Sequence, residues 1–594
     1  MFTTRPELLG THGMVATTHW LASAAGMAAL ERGGNAFDAA VTAGFVLQVV
    51  EPHLNGPAGE VPILACPAGS DGVDVVCGQG PAPAAATIER FTELGIELIP
   101  GTGLLAACTP GAFDGWMRLL GEYGTFTVHD VLEPAIAYAR DGYPVVPKVS
   151  GAIAAVEELF RTEWPTSAET YLADGVPAAG ELFRNPVLAD TYAKIVAEAD
   201  AAGGRDAGIQ AARDAFYRGF VAEEIDAFLA RTEVLDATGR RHGGLLDGDD
   251  LAAFEAEIEP AISRGYHQYE VFKPGAWSQG PVLLQQLALL EDVDVAAMPL
   301  NGVDYVHTVV EAAKLAFADR EAWYGDPVFG DVPLDDLLSS AYAADRRQLI
   351  GDTASYELRP GSPGGRPPLL PDIPDIDSAG IAGVGEPTFA RTGPAAGPAD
   401  GDTCHIDVVD RHGNMVSATP SGGWLQSSPV IPSLGFPLGS RAQMFWLTPG
   451  LPSSLAPGKR PRSSLTPSLA FRDGEPYLAF GTPGGDQQDQ WSLAFFLAHV
   501  HHDRDLQAAI DTPMFHTAHF PSSFFPRRSR PGVVLVEGRF DPTVVDALRA
   551  RGHDVQVEGD WSLGRVSAAG REPARGLLKA AANARGMQGY AVGR

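Results

Sequence analysis

Residues 401–414 read GDTCHIDVVDRHGN. Upstream, between Gly351 and Asp402, segments such as RPGSPGGRPPLLPDIPDIDSAG and RTGPAAGPADGD carry so many Pro and Gly residues that regular structure is not expected. They predict an exposed, flexible linker from about residue 352. Downstream, Thr403 to Asp410 can run as a strand, Arg411 to Asn414 can turn, and Met415 to Thr419 can return as the hairpin partner.

A linker that enters a strand at Thr suits a chain that cuts itself there. The Oγ of Thr403 can attack the carbonyl of Asp402, and water then opens the ester, freeing a Thr that carries both a hydroxyl and an α-amine. The reference pKa of such an amine, about 7.7–8.0, lets it activate its own hydroxyl near neutral pH. A β-branched residue opening an ordinary strand explains Thr403 equally well.

The rest of the chain narrows the field. A length of 594 residues, with 45% hydrophobic and 20% charged residues, allows a large core in one or more units. The formal net charge of -31 argues against a nucleic-acid partner, which requires a basic face. Four scattered cysteines, Cys66, Cys77, Cys108 and Cys404, form no C-x-x-C pair and suggest neither a disulfide framework nor a thiolate metal site. No basic leader with an apolar run and no membrane-length apolar segment is visible, so a cytoplasmic location without a membrane partner is expected.

Ala22 to Leu47 predicts two helices joined at Gly33-Gly34-Asn35, followed by the short strand-like runs VPILACPA and VDVVCG. Residues 304–325 have helical spacing. SLAFRDGEPYLAFG predicts a second hairpin turning at Asp473-Gly474, and DQWSLAFFLAHVHH a helix. Common catalytic motifs are not convincing. Ala68-Gly69-Ser70-Asp71-Gly72 lacks the first glycine of a nucleophile elbow, Gly458-Lys459 lacks the rest of a phosphate loop, and His501-His502 point in different directions on a helix. Neither a metal nor an organic cofactor is expected.

Several segments, in order, resemble the γ-glutamyltransferase family: GMVATTHWLASAAGMAALERGGNAFDAAV at 13–41, VVEPH at 49–53, APAAAT at 82–87, EAAKLAFADR at 311–320, Thr403-Cys404-His405 with Asp410-Arg411-His412-Gly413-Asn414, GKRPRSSLTP at 458–467 and GTPGGDQQ at 481–488. The resemblance implies an α+β fold, the four-layer αββα sandwich of N-terminal nucleophile hydrolases. It further implies cleavage into a large subunit (1–402) and a small catalytic subunit (403–594), a unit that could also form a homodimer. On this resemblance Thr403 is nucleophile and agent of autocleavage at Asp402-Thr403, Ser421 is a second hydroxyl bonded to it, and Gly484-Gly485 form the oxyanion hole. Ser463 and Ser464 match a pair that holds the substrate's α-carboxylate.

Three positions depart from the family pattern. Neutral Gln79 stands where the family has a carboxylate-binding Arg, Gly423 stands where it has an Asn, and Gly439-Ser440-Arg441-Ala442-Gln443-Met444 replaces a segment whose acid holds the substrate amine. The cation of Arg441 in that place would repel an amine and attract a carboxylate. The expected substrate is thus a small-molecule amide or peptide, either γ-glutamyl (glutathione-like) or a related dicarboxylic acyl amide such as a glutaryl type. The rival reading is a catalytically silent binding protein, against which Thr403, Ser421 and Gly484-Gly485 speak.

Overall fold

The computed structural model describes residues 2–372 and 403–594, so Asp402 and most of the expected linker lie outside the described residues. Two seven-stranded antiparallel sheets stack face to face. In spatial order the first contains Tyr590–Gly593, Gly13–Thr17, Ile406–Asp410, Met415–Ala418, Val61–Cys66, Asp74–Gly78 and Glu257–Pro260. The second contains Leu8–Gly10, Leu577–Ala582, Ser567–Glu572, Glu475–Gly481, Ser468–Arg472, Tyr269–Lys273 and Ile262–Tyr266.

Strand alternation sorts the side chains into three cores. Met14, Leu64, Val75, Val409 and Met415 of the first sheet meet Phe272, Leu469, Phe471 and Ala479 of the second between the sheets. The neighbouring residues Val15, Ile63, Val76, Val408 and Val416 point the other way, into a core shared with the helices Trp20–Glu31, Ala36–Val50 and Ala112–Tyr123. The second sheet is covered likewise by Pro281–Leu290, Val303–Trp323 and Gln488–His501. This is the αββα sandwich of the α+β class. Because both faces are buried, strands such as Val61–Cys66 read as continuous apolar runs.

Local signals place the elements as expected. Asn35 closes a capping box on Ala36–Val50, and Gly33 turns with φ 98°. Asp473 and Gly474, at φ 52° and 83°, make the tight turn between two strands of the second sheet. Residues 352–372 are irregular apart from a 3-10 turn, Pro363–Gly365, but their first half is not free. Ala354 N–H donates to Arg551 O at 2.8 Å, Tyr356 O–H to Gly552 O at 2.6 Å, and Gly361 N–H to Asp319 Oδ1 at 2.7 Å. The expectation of a linker loose from residue 352 is corrected here: low regularity in sequence did not mean absence of partners. Among the described residues, no helix is long and apolar enough to cross a membrane.

Candidate active site

The ends of four adjacent strands form a row at one edge of the first sheet. Thr403 bridges Ser421, and Ser421 bridges Glu60; Gln79 follows Gly78, the partner of Val61. All four share strand parity with residues of the inter-sheet core, so the row faces the second sheet. Thr403 Oγ1 and Ser421 Oγ lie 3.2 Å apart, and both residues are buried.

Beneath this pair, Thr403, His405 and Asp407 follow each other on one face of the strand. His405 Nδ1 is 3.0 Å from Thr419 Oγ1, and its Nε2 is 3.0 Å from Asp407 Oδ1. Ser417 and Ser567 donate to the two oxygens of Asp407, each at 2.9 Å. Burial pushes the Asp407 carboxyl up, and His405 partly offsets this. The second sheet approaches here with no side chain: a Cβ on Gly481 would sit 2.3 Å from the His405 ring. Sequence reasoning assigned His405 no role beyond its place in the Thr403-Cys404-His405 motif and passed over Asp407, although the period-two spacing Thr-x-His-x-Asp was available as a signal.

Gly481 ends its strand beside His405 and leads directly into Gly484-Gly485. Gly484 has φ 132°, and a Cβ there would lie 2.8 Å from Trp491, so the turn requires glycine. The loop 463–466 is tied to the same turn. Thr466 N–H donates to Gln488 Oε1 and Thr466 Oγ1 to Asp489 Oδ1, at 3.3 and 3.0 Å. Of the two serines expected to bind substrate, Ser463 Oγ accepts from Leu465 N–H within its own turn, whereas the buried Ser464 hydroxyl has no partner among the described residues. Gly423 has φ 63° with its backbone packed on Gly56 and Ala58.

Arg441 differs from expectation. It lies buried on the 3-10 turn Arg441–Met444, and its guanidinium pairs with Glu60, Nε donating to Oε1 at 2.5 Å. Trp424 and Phe524 flank it, with ring centroids 5.3 and 5.9 Å away. The expected unopposed cation is therefore half of a neutral pair. Burial pushes Glu60 up and Arg441 draws it back. Glu60 was missed because an acid directly before an apolar strand says nothing about a partner 381 residues away.

Comparison with known proteins shows the family. The family model described as Gamma-glutamyltranspeptidase matches residues 22–593. The chain belongs to the γ-glutamyltranspeptidase family, a class of amide-hydrolysing and acyl-transferring enzymes. A solved structure of LmbA2991 is 56% identical, with a TM-score of 0.94 and 100% of each chain covered. The glutathione hydrolase-like YwrD proenzyme of Bacillus subtilis is 31% identical, over 99% of this chain and 99% of its own length. The acylase ACY 1 proenzyme of Pseudomonas sp. is 32% identical, over 92% of this chain and 88% of its own.

Proposed function

We propose that the chain matures by cleavage between Asp402 and Thr403 and then hydrolyses or transfers acyl groups through an ester on Thr403. The freed α-amine takes the proton of Oγ as Oγ attacks the substrate carbonyl. The N–H groups of Gly484 and Gly485 stabilise the developing oxyanion, and the same proton leaves with the departing amine. Water or a second amine then opens the ester. The observation that carries this reading is the Thr403–Ser421 hydroxyl pair, 3.2 Å apart at the strand edge where the Gly484-Gly485 turn emerges. Residues 1–402 and 403–594 become the two subunits, which share both sheets.

The acyl group is that of an acylase more than of a γ-glutamyl enzyme. Gln79 cannot clamp a carboxylate as an arginine does, and Glu60 neutralises Arg441, so the α-carboxylate of a γ-glutamyl group meets no unpaired cation at these two positions. The pairing also weakens the case for a glutaryl preference.

Thr403→Ala should leave the precursor uncut on a denaturing gel and turnover at background, while Thr403→Ser should retain part of both. A cleaved, active Thr403→Ala protein would overturn the assignment. Side by side on the matured enzyme, γ-glutamyl and glutaryl anilides should both be poorer than a neutral acyl anilide. A strong γ-glutamyl preference would restore the glutathione-like reading.

A further inference from the structure

A cavity of about 510 Å³ opens where Gln79 leaves the sheet. Gln79 is 1% exposed and forms part of the lining. Its Nε2 donates to Gly80 O at 3.1 Å, which fixes the orientation of the amide and leaves Oε1 without a protein partner among the described residues. Phe254 and Pro457 add apolar wall, and the rim carries Val328 and Phe329, 76% and 45% exposed. An exposed apolar rim around a buried, unpaired acceptor points to a ligand.

The charge of the lining says which kind. Asp250, Glu255, Glu257 and Asp326 contribute four carboxylates against one guanidinium, Arg460. That guanidinium is engaged by Asp326, with contacts of 3.2 and 3.0 Å, and by Glu259 at 3.4 Å. Nearby, Lys459 Nζ donates to Ser454 O, and Arg218 stands 3.7 Å from Glu255. Asp250 accepts from Ala84 N–H at 2.8 Å, and Glu257 is exposed. The capacity left over is mostly for accepting hydrogen bonds, and it surrounds aromatic and aliphatic surface. Lys459 Nζ already lies 5.9 Å from the Phe329 ring centroid, so such a lining suits an ammonium on an apolar body through hydrogen bonds to oxygen, with the apolar body packed against Phe254, Pro457 and the edge of Phe329.

We propose that this cavity binds aryl- or alkylammonium groups and receives the end of the substrate remote from the scissile amide. The second clause rests on Thr403 being the nucleophile. Three strand spacings of roughly 4.8 Å separate Gln79 from Thr403 along the row, about 14 Å, so the group held here lies beyond the reacting bond. Binding energy gained there is available to orient the amide at Thr403.

The test uses the matured enzyme and three probes of similar shape: phenethylammonium, 2-phenylethanol and 3-phenylpropionate, titrated by ligand-observed NMR. Phenethylammonium should bind at least about five-fold more tightly than the alcohol, and the carboxylate should bind weakest. The preference should shrink as salt rises. Glu257→Gln and Phe329→Ala, both at exposed positions, should each weaken phenethylammonium by about two- to five-fold. Equal affinity for the three probes, or indifference to both substitutions, overturns the site. Phenethylammonium should also raise KM for an amide whose far end carries an ammonium, and failure to compete would overturn the substrate clause. Because probe binding needs no turnover, an absent site in a matured enzyme that turns over through Thr403 defeats this proposal alone. A retained site in a protein that still turns over without Thr403 defeats only the catalytic reading.

Discussion

Two buried ion-pair systems flank the strand edge, and they are built differently. Behind Gly484-Gly485, Arg320 joins Glu321, Asp486 and Gln279 Oε1; Arg462 joins Glu321 at 2.7 Å and Ser523 Oγ at 2.9 Å; and Ser523 N–H and O–H both donate to Asp486. On the pocket side Arg441 has Glu60, two aromatic rings and, at Nη1, the Met444 sulfur at 3.7 Å. The first is a network in which most polar atoms are satisfied; the second is a lone pair in apolar surroundings. Densely bonded networks fix one geometry, which suits the turn proposed to carry the oxyanion donors. A sparse pair leaves donor capacity that a substrate can use.

The largest effect should come from cutting the network. Asp486→Asn leaves Arg320 buried with one fewer counter-charge and should destabilise the protein by about 3–5 kcal/mol, read from the denaturant midpoint, with a loss of turnover through the displaced glycines. A shift no larger than that of a surface substitution would show that the network is not the frame inferred here.

The lone pair should respond differently to single and double change. Arg441→Met or Glu60→Gln alone strands a buried polar or charged partner and should cost about 2–4 kcal/mol, whereas the double variant should cost less than the sum. Additive losses in a double-mutant cycle would mean that the two groups do not act as a pair.

The two systems should also titrate with opposite sign. Burial pushes Asp486 up, but Arg320, Ser523 and Arg462 more than offset it, so its carboxyl lies below the ordinary range. Its contribution to stability is therefore full above the unfolded value near 3.9 and is lost as pH falls through the lower folded value. Glu60 is raised, so its contribution is present below the unfolded value of about 4.3 and is lost as pH rises through the folded one. Asp486→Asn should flatten the acid limb of a stability profile, and Glu60→Gln should flatten its higher-pH limb. Equal slopes in both variants and the parent would contradict these signs.

The same contrast explains what could be read from sequence. Hairpins, helix caps and the Thr403 junction are local, and residues such as Asp473-Gly474 or Asn35 announce them within a few positions. Glu60 with Arg441, and Asp407 with Ser567, are products of pairing between distant strands, and nothing near either residue encodes its partner. Gln79 was noticed only as a departure from a family pattern. Its unpaired oxygen and its cavity appear once Pro81, Asp326 and Arg460 are assembled around it.

The smallest expected effect tests whether environment, rather than distance, separates these systems. Arg161 Nε lies 2.9 Å from Glu157 Oε1, the same separation as Arg320 Nε from Glu321 Oε1. Yet the Arg161 and Glu157 side chains are 49% and 40% exposed, while Arg320 is fully enclosed. Water already solvates the exposed pair, so its ions gain little by meeting and lose little by parting. Arg161→Ala should shift stability by less than about 0.5 kcal/mol, and added salt should erase even that. Should Arg161→Ala cost as much as Asp486→Asn, burial would not be what gives the inner network its weight, and its role in holding Gly484-Gly485 would need another cause.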